Sequence, residues 1–264
     1  MGQARIFGGT LFLNQSLYAL QSGQGPQTVV LLHGFGGCHG LWRPVQQALA
    51  RDARVLAYDL PGHGGSLDWP EAGPAKVAVR AILADLEERG VDRFHIAGHS
   101  MGGAIAAMMA LAAPSRVASL TLLAPGGFGE EINGRLLRRY AAATSEEQIR
   151  ACLETMTGWP NPVPDEAVEA LAEMRRHPGQ TDKLVEIAAS IARDGRQGVI
   201  AREKLAELPM PVAVVWGILD GVLPVHQANG LPPLFALHLI PAAGHMLPEE
   251  KPELVTEIIR RTMR

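Results

Sequence analysis

Only two cysteines, Cys38 and Cys152, occur in 264 residues. They lie far apart and fit no ligand spacing, so neither a disulfide framework nor a cysteine-built metal centre is expected. Two free thiols in a reducing cytoplasm are the expectation. Basic runs are missing as well, and the net charge is −3. The electrostatic footprint of a nucleic-acid binder is therefore absent. No stretch of about 20 uninterrupted apolar residues occurs, so no membrane span is expected. The opening residues Met1–Arg5 lack an apolar stretch before a small-residue cleavage site, which speaks against a secretory leader. Ile6 breaks the myristoylation pattern. No G-x-x-x-x-G-K-[ST] is present, and the glycine run at Gly34 and Gly36 is not G-x-G-x-x-G because His39 stands at the third position. His33, Cys38 and His39 lack a carboxylate or second cysteine to complete a metal set. No cofactor is expected, and repeats and low-complexity segments are absent.

What is present is a hydrophobic content of 47%, enough for a substantial core without covalent staples. From about residue 29, short apolar runs alternate with helical patterns, which predicts a parallel sheet with helices on both faces. Thr28–Leu32, Arg54–Leu60, Phe94–Ala97, Val117–Leu123, Val212–Trp216 and Leu237–Ile240 read as strands. Arg5–Leu13 and Gln15–Gln21 read as an antiparallel edge hairpin. Ala75–Arg89 and Pro252–Met263 read as amphipathic helices. Between Gly126 and Ala201 no strand is convincing. Thr144–Glu147, Pro164–Glu166 and Thr181–Asp182 each open a helix there, so about three helices form an all-α insertion.

The chemistry concentrates at Gly98-His99-Ser100-Met101-Gly102, between the strand run Phe94–Ala97 and an Ala/Met-rich helical run. A serine between two glycines at a strand-to-helix corner is the nucleophile-elbow pattern. Serine needs an imidazole to take its proton, a carboxylate to fix that imidazole's tautomer, and donors for the developing oxyanion. The candidate base is His245, after the last strand. The candidate acid is Asp220, after Val212–Trp216; the preceding strand ends at Pro125 with no carboxylate until Glu130. The candidate oxyanion donors are the backbone N–H groups of Met101 and of Phe35 in His33-Gly34-Phe35-Gly36-Gly37. His33, Gly34, His99, Phe128, Met156, Trp159 and Met246 are candidate substrate contacts.

In this order, strand, glycine loop, elbow, acid and histidine resemble the α/β-hydrolase superfamily over nearly the whole chain. Tyr58–Ser66 is similar to its D-x-P-G-x-G-x-S stretch. Gly217-x-x-Asp220 and Gly244-His245 with Glu249-Glu250-Lys251-Pro252 resemble its acid and histidine signatures. The resemblance implies a mostly parallel, eight-stranded α/β sheet flanked by helices. It further implies a core of residues 1–125 and 202–264 and a helical cap over 126–201. It makes Ser100 the nucleophile, Asp220 the acid and His245 the base of a hydrolase acting on a small-molecule substrate. Ala124–Gly134 resembles the cap entry of the hydrolase-like domain of acetoin dehydrogenase acetyltransferase components. Pro125–Gly129 is similar to carbon–carbon bond hydrolases of meta-cleavage pathways, which use an oxyanion-region asparagine and a cap arginine. No asparagine lies around Gly36–Arg43, and Arg175 and Arg176 do not match by position. Ester hydrolysis is the leading reading; acyl transfer or perhydrolysis, carbon–carbon hydrolysis and a non-enzymatic ligand receptor remain alternatives. Substrate identity and oligomeric state are not legible.

Overall fold

A computed structural model describes residues 5–7, 10–12 and 17–264. Two short strands, β1 (Arg5–Phe7) and β2 (Thr10–Phe12), pair with each other antiparallel. The main sheet has seven strands: β3 (Ala19–Ser22), β4 (Thr28–Leu32), β5 (Arg54–Tyr58), β6 (Phe94–His99), β7 (Val117–Leu123), β8 (Val212–Gly217) and β9 (Ala236–Ile240). Their spatial order is β3-β5-β4-β6-β7-β8-β9. All neighbours are parallel except β3 with β5. Among the described residues the sheet has seven strands where eight were expected, and β1 pairs with β2 and β3 with β5 in place of the expected hairpin. The Gly8–Gly9 and Leu13–Ser16 parts of that expectation lie outside the described residues. β3 serves the sheet instead, because β5 would otherwise present an unpaired backbone edge.

The central strands read as continuous apolar runs because both faces are covered. Every residue of β6 and of β8 is buried. The flanking helices in the first half are α1 (Arg43–Leu49), α2 (Ala75–Glu88) and α3 (Met101–Ala112). α2 turns Ala78, Val79, Ala81, Ile82 and Leu86 inward, the i, i+3, i+4 stripe of an amphipathic helix. Between β7 and β8 lie four helices of eight or more residues: α4 (Gly134–Ala141), α5 (Glu146–Met156), α6 (Asp165–Arg175) and α7 (Gln180–Ile191). A short α8 (Arg202–Leu205) follows, and α9 (Leu247–Glu250) and α10 (Pro252–Thr262) close the fold. The sequence reading found the last three of those four; α4 escaped it. α4 follows a glycine-rich run and is only eight residues long, but Asn133 caps it by accepting the Leu136 N–H. The capping box at α5 is present, with Ser145 and Gln148 exchanging side chain-to-backbone bonds.

The strand order reverses direction at β4, which β5 and β6 flank. At such a switch point the loops leaving the strand ends part and leave a crevice. The loops after β4, β6, β7, β8 and β9 all leave from that carboxyl end, and they carry Phe35, Ser100, Gly126, Asp220 and His245. Among the described residues, no helix is long and apolar enough to cross a membrane.

Candidate active site

Ser100 sits between β6 and α3 with φ 52° and ψ −116°, a strained conformation for a non-glycine residue. The strain is held by its backbone. Its N–H donates to the Leu123 carbonyl (2.9 Å), and its carbonyl accepts from Gly126 (2.9 Å) and Ala104 (3.1 Å). The glycines on either side are required by close approach. A Cβ on Gly98 would lie 2.2 Å from the Gly102 carbonyl oxygen, and one on Gly102 would lie 2.4 Å from that of Leu32. Gly98 thus lets β6 meet the first turn of α3, and Gly102 lets that turn pack against the end of β4.

Asp220 and His245 lie against each other. His245 Nδ1 lies 2.8 Å from Asp220 Oδ2, with the carboxylate side chain fully buried. Asp220 Oδ1 accepts the N–H groups of Val222 and Leu223, both at 2.8 Å. An ionised carboxylate only accepts, so the His245 proton sits on Nδ1 and Nε2 keeps its lone pair. Ser100 and His245 both line one cavity of about 410 Å³.

The loop carrying Phe35 is held from behind. His33 donates from Nδ1 to the Gly34 carbonyl (2.7 Å) and accepts the Leu60 N–H at Nε2 (3.0 Å). His63 accepts the Gly36 N–H at Nε2 (3.1 Å), with Nδ1 3.2 Å from the Pro61 carbonyl. Burial lowers the pKa of both rings, that of His63 to about 3, so both are neutral. The Gly36 carbonyl accepts from the Tyr140 hydroxyl (3.1 Å) and from Arg175 Nη1 (3.3 Å). The Arg175 guanidinium stacks over the Tyr140 ring at 4.6 Å. The Gly36 peptide is thus clamped on both sides. Among the described hydrogen bonds, the N–H groups of Phe35 and Met101 have no protein acceptor.

Asp59, within the Tyr58–Ser66 stretch, explains that stretch locally. Its Oδ1 accepts from the His39 N–H (2.6 Å) and lies 2.8 Å from His39 Nδ1, and its Oδ2 accepts from Gly65 (2.9 Å). Burial pulls its pKa up, but the hydrogen bonds from His39 and the neighbouring imidazoles outweigh burial and leave it lowered. A carboxylate does therefore reach His39, which the sequence reading had not foreseen. Even so, no group of three metal-ligating side chains forms among the described residues.

Of the expected substrate contacts, Gly34, His99, Met156 and Met246 line the cavity, together with Phe35 and Met101. His33, Phe128 and Trp159 do not. His33 is committed to the loop backbone, Phe128 packs edge-to-face on Trp216 at 6.5 Å, and Trp159 is 85% exposed. His99 donates from Nε2 to the His245 carbonyl (2.7 Å), and burial holds its pKa well below the ordinary value. Sequence reasoning missed Tyr140, Gln197 and the apolar wall of Leu41, Met108, Ile132 and Leu137. No motif marks these positions. No Asp, Glu, Lys or Arg is among the lining residues.

The model of the alpha/beta hydrolase family matches residues 29–258. The chain is 37% identical over 235 residues to the dihydrolipoyllysine-residue acetyltransferase component of the acetoin cleaving system of Pseudomonas putida, covering 89% of this chain and 63% of that protein. It thus spans under two thirds of that relative's length. It is 28% identical to a 2-hydroxy-6-oxononadienedioate/2-hydroxy-6-oxononatrienedioate hydrolase of Cupriavidus pinatubonensis, covering 87% of this chain and 84% of that one. In fold it resembles a meta-cleavage product hydrolase from Pseudomonas fluorescens IP01, with a TM-score of 0.82 at 23% identity over 99% of this chain and 97% of that one. Elbow, strand order and the matched span agree: the chain belongs to the alpha/beta hydrolase family.

Proposed function

We propose that this protein is a serine hydrolase that cleaves an ester-type bond of a small, largely apolar substrate through an acyl-enzyme. The carrying observation is Ser100 and His245 on the wall of one cavity that no Asp, Glu, Lys or Arg lines, with Asp220 bonded to His245 Nδ1. Ser100 Oγ attacks the carbonyl while His245 Nε2 takes its proton, and Asp220 stabilises the imidazolium. The N–H groups of Phe35 and Met101 receive the oxyanion; one such donor is typically worth roughly a hundred- to a thousand-fold in rate. His245 then protonates the leaving group and activates water to cleave the acyl-enzyme. In this reading residues 126–201 are the cap, because Ile132, Leu137, Tyr140, Met156 and Ile191 from that span form one wall of the cavity. The two cysteines are buried and unbridged, which supports a reducing, cytoplasmic setting.

Carbon–carbon hydrolysis of a keto acid is the competing reading, since relatives carry names of that class. A dienoate carboxylate calls for a cation in the cavity. Arg175 is the buried cap arginine; its Nη1 and Nη2 donate to the carbonyls of Gly36, Leu171 and Tyr140, its Nε has no partner among the described residues, and it does not line the cavity. That arrangement favours the ester reading. The test is labelling by a serine-reactive fluorophosphonate beside a panel of neutral esters of graded chain length. Wild type is expected to label and turn over the esters, and Ser100→Ala to do neither. A Ser100→Ala variant of undiminished esterase activity overturns the assignment.

A further inference from the structure

The mechanism above leaves unused an acidic side chain that the hydrogen bonds single out. Glu250 is the last residue of α9, five positions after His245. Its Oε1 accepts the N–H groups of Gly244 (3.1 Å) and Met246 (3.0 Å), the two residues that flank His245. Its Oε2 accepts Gly244 N–H (2.9 Å), Gly158 N–H (2.9 Å) and the Asn161 side-chain amide (2.7 Å). A turn-capping carboxylate would take its donors from its own loop. Here two of the four donor groups come from about 90 residues away in sequence.

Other contacts run along the same seam. His245 N–H donates to the Met156 carbonyl (2.7 Å). The Asn161 amide also donates to the Ala242 carbonyl (2.6 Å), and Lys251 Nζ donates to Asn161 Oδ1 (2.8 Å). The backbones touch so closely that a Cβ on Gly244 would lie 2.4 Å from the Gly158 nitrogen. The main chain on both sides of the imidazole is therefore bonded to the stretch running from the end of α5 to Asn161. Met156, on that stretch, lines the cavity, whereas Glu250 does not.

We propose that Glu250 is a positioning residue for His245: it fixes the backbone on either side of the base and ties it to the Met156–Asn161 segment. This rests on the reading of His245 as the general base. Glu250 acts through His245 and touches no substrate. A misplacement of about 1 Å in a catalytic group can cost about 10²-fold in rate. The cavity's apolar wall stays intact when Glu250 changes, so the loss falls on kcat and spares KM.

The test is Glu250→Gln, which puts an NH2 donor where peptide N–H groups need an acceptor. With a neutral short-chain ester, kcat is expected to fall about 30- to 100-fold, in line with that misplacement cost. KM is expected to stay within about threefold, and fluorophosphonate labelling to slow by a factor similar to that in kcat. Asn161→Ala removes one of the two remote donors, with the bonds to Ala242 and Lys251, and is expected to lower kcat several-fold at constant KM. Wild-type kcat in a folded Glu250→Gln protein, even with a lowered melting temperature, overturns the proposal, because it reduces Glu250 to a structural cap. If Glu250→Gln does not fold, Asn161→Ala decides, and an unchanged kcat there overturns it. Wild-type protein that resists labelling defeats the serine-hydrolase reading. Wild-type protein that labels at the same rate as Glu250→Gln defeats only the positioning role.

Discussion

Glu249, next to Glu250, makes no such bonds, and its burial gives a stability signature that can be measured. Its stem reaches the surface, but both carboxyl oxygens are buried without a hydrogen-bond partner. Burial is the larger cause and the neighbouring Glu250 charge a smaller one; together they push its pKa up to about 8, while its own backbone N–H pulls the other way. In the unfolded chain the same group titrates near 4.5. Below that pH it is protonated in both states and burial carries no ionic penalty. As pH rises from 4.5 to about 8, the unfolded chain releases the proton and the folded protein keeps it. Stability therefore falls across that window by about 1.4 kcal/mol per pH unit, or roughly 5 kcal/mol in all, and is flat above it. Glu249→Gln keeps the shape and removes the titration. At pH 5 the variant is expected to match wild type to within about 1 kcal/mol. By pH 7 it is expected to be more stable by roughly 3 kcal/mol, about 6 °C in Tm for a chain of this length. Buried histidines such as His63, with depressed pKa values, destabilise the fold at acid pH in both proteins, so they cancel in the difference. Calorimetry or urea unfolding at pH 5, 6, 7 and 8 reads that difference directly. A variant-minus-wild-type gap that does not change with pH refutes the reasoning.

Two further outcomes follow from the site's framework. Tyr140→Phe removes the hydroxyl bond to the Gly36 carbonyl and is expected to lower kcat about tenfold with a Tm loss of a few degrees, read by steady-state kinetics and thermal melting; unchanged kcat counts against the loop clamp. Gly102→Ala drives a Cβ to 2.4 Å from the Leu32 carbonyl oxygen and is expected to destabilise by several kcal/mol or to prevent soluble expression, whereas a Gly102→Ala protein of wild-type Tm shows that the elbow is less tightly packed than described.

The parts of this fold that repeat a local rule were legible in the sequence. β4, β6, β7 and β8 are buried on both faces, and that condition writes itself into the chain as unbroken apolar runs. Ser100, Asp220 and His245 were legible as candidates because each follows a strand and the order of the three is constrained. β3 was misread because its pairing partner lies more than thirty residues away on β5, and nothing local to Ala19–Ser22 distinguishes that partner from the nearer segment. α4 was missed because an eight-residue helix behind a glycine-rich run has little room to display a period. Tyr140 and Arg175 were not legible as site residues, and Glu250 was legible only as part of the stretch that resembles the histidine signature. Each acts on a backbone group contributed from elsewhere in the chain, and a backbone partner leaves no trace in side-chain spacing.

Four other imidazoles, His33, His39, His63 and His99, brace the loops at this end of the sheet, and their hydrogen bonds leave His245 as the candidate for proton transfer. His33 and His63 each have both ring nitrogens engaged with backbone groups, so neither has a lone pair to offer. His99 spends its Nε2 proton on the His245 carbonyl, has no carboxylate partner, and is kept neutral by burial. His39 does have a carboxylate, Asp59, at 2.8 Å, but it lies outside the cavity that holds Ser100. His245 combines the three requirements: a cavity position, an Nδ1 proton fixed by a buried carboxylate, and an Nε2 with no protein partner among the described hydrogen bonds. The other four rings then read as scaffold. Two hold the oxyanion loop, one braces the His245 backbone, and one anchors the Asp59 corner behind them. His99, whose ring centroid lies 4.8 Å from that of His245, is kept neutral by burial, and under the proposed mechanism a second imidazolium there would oppose one forming on His245.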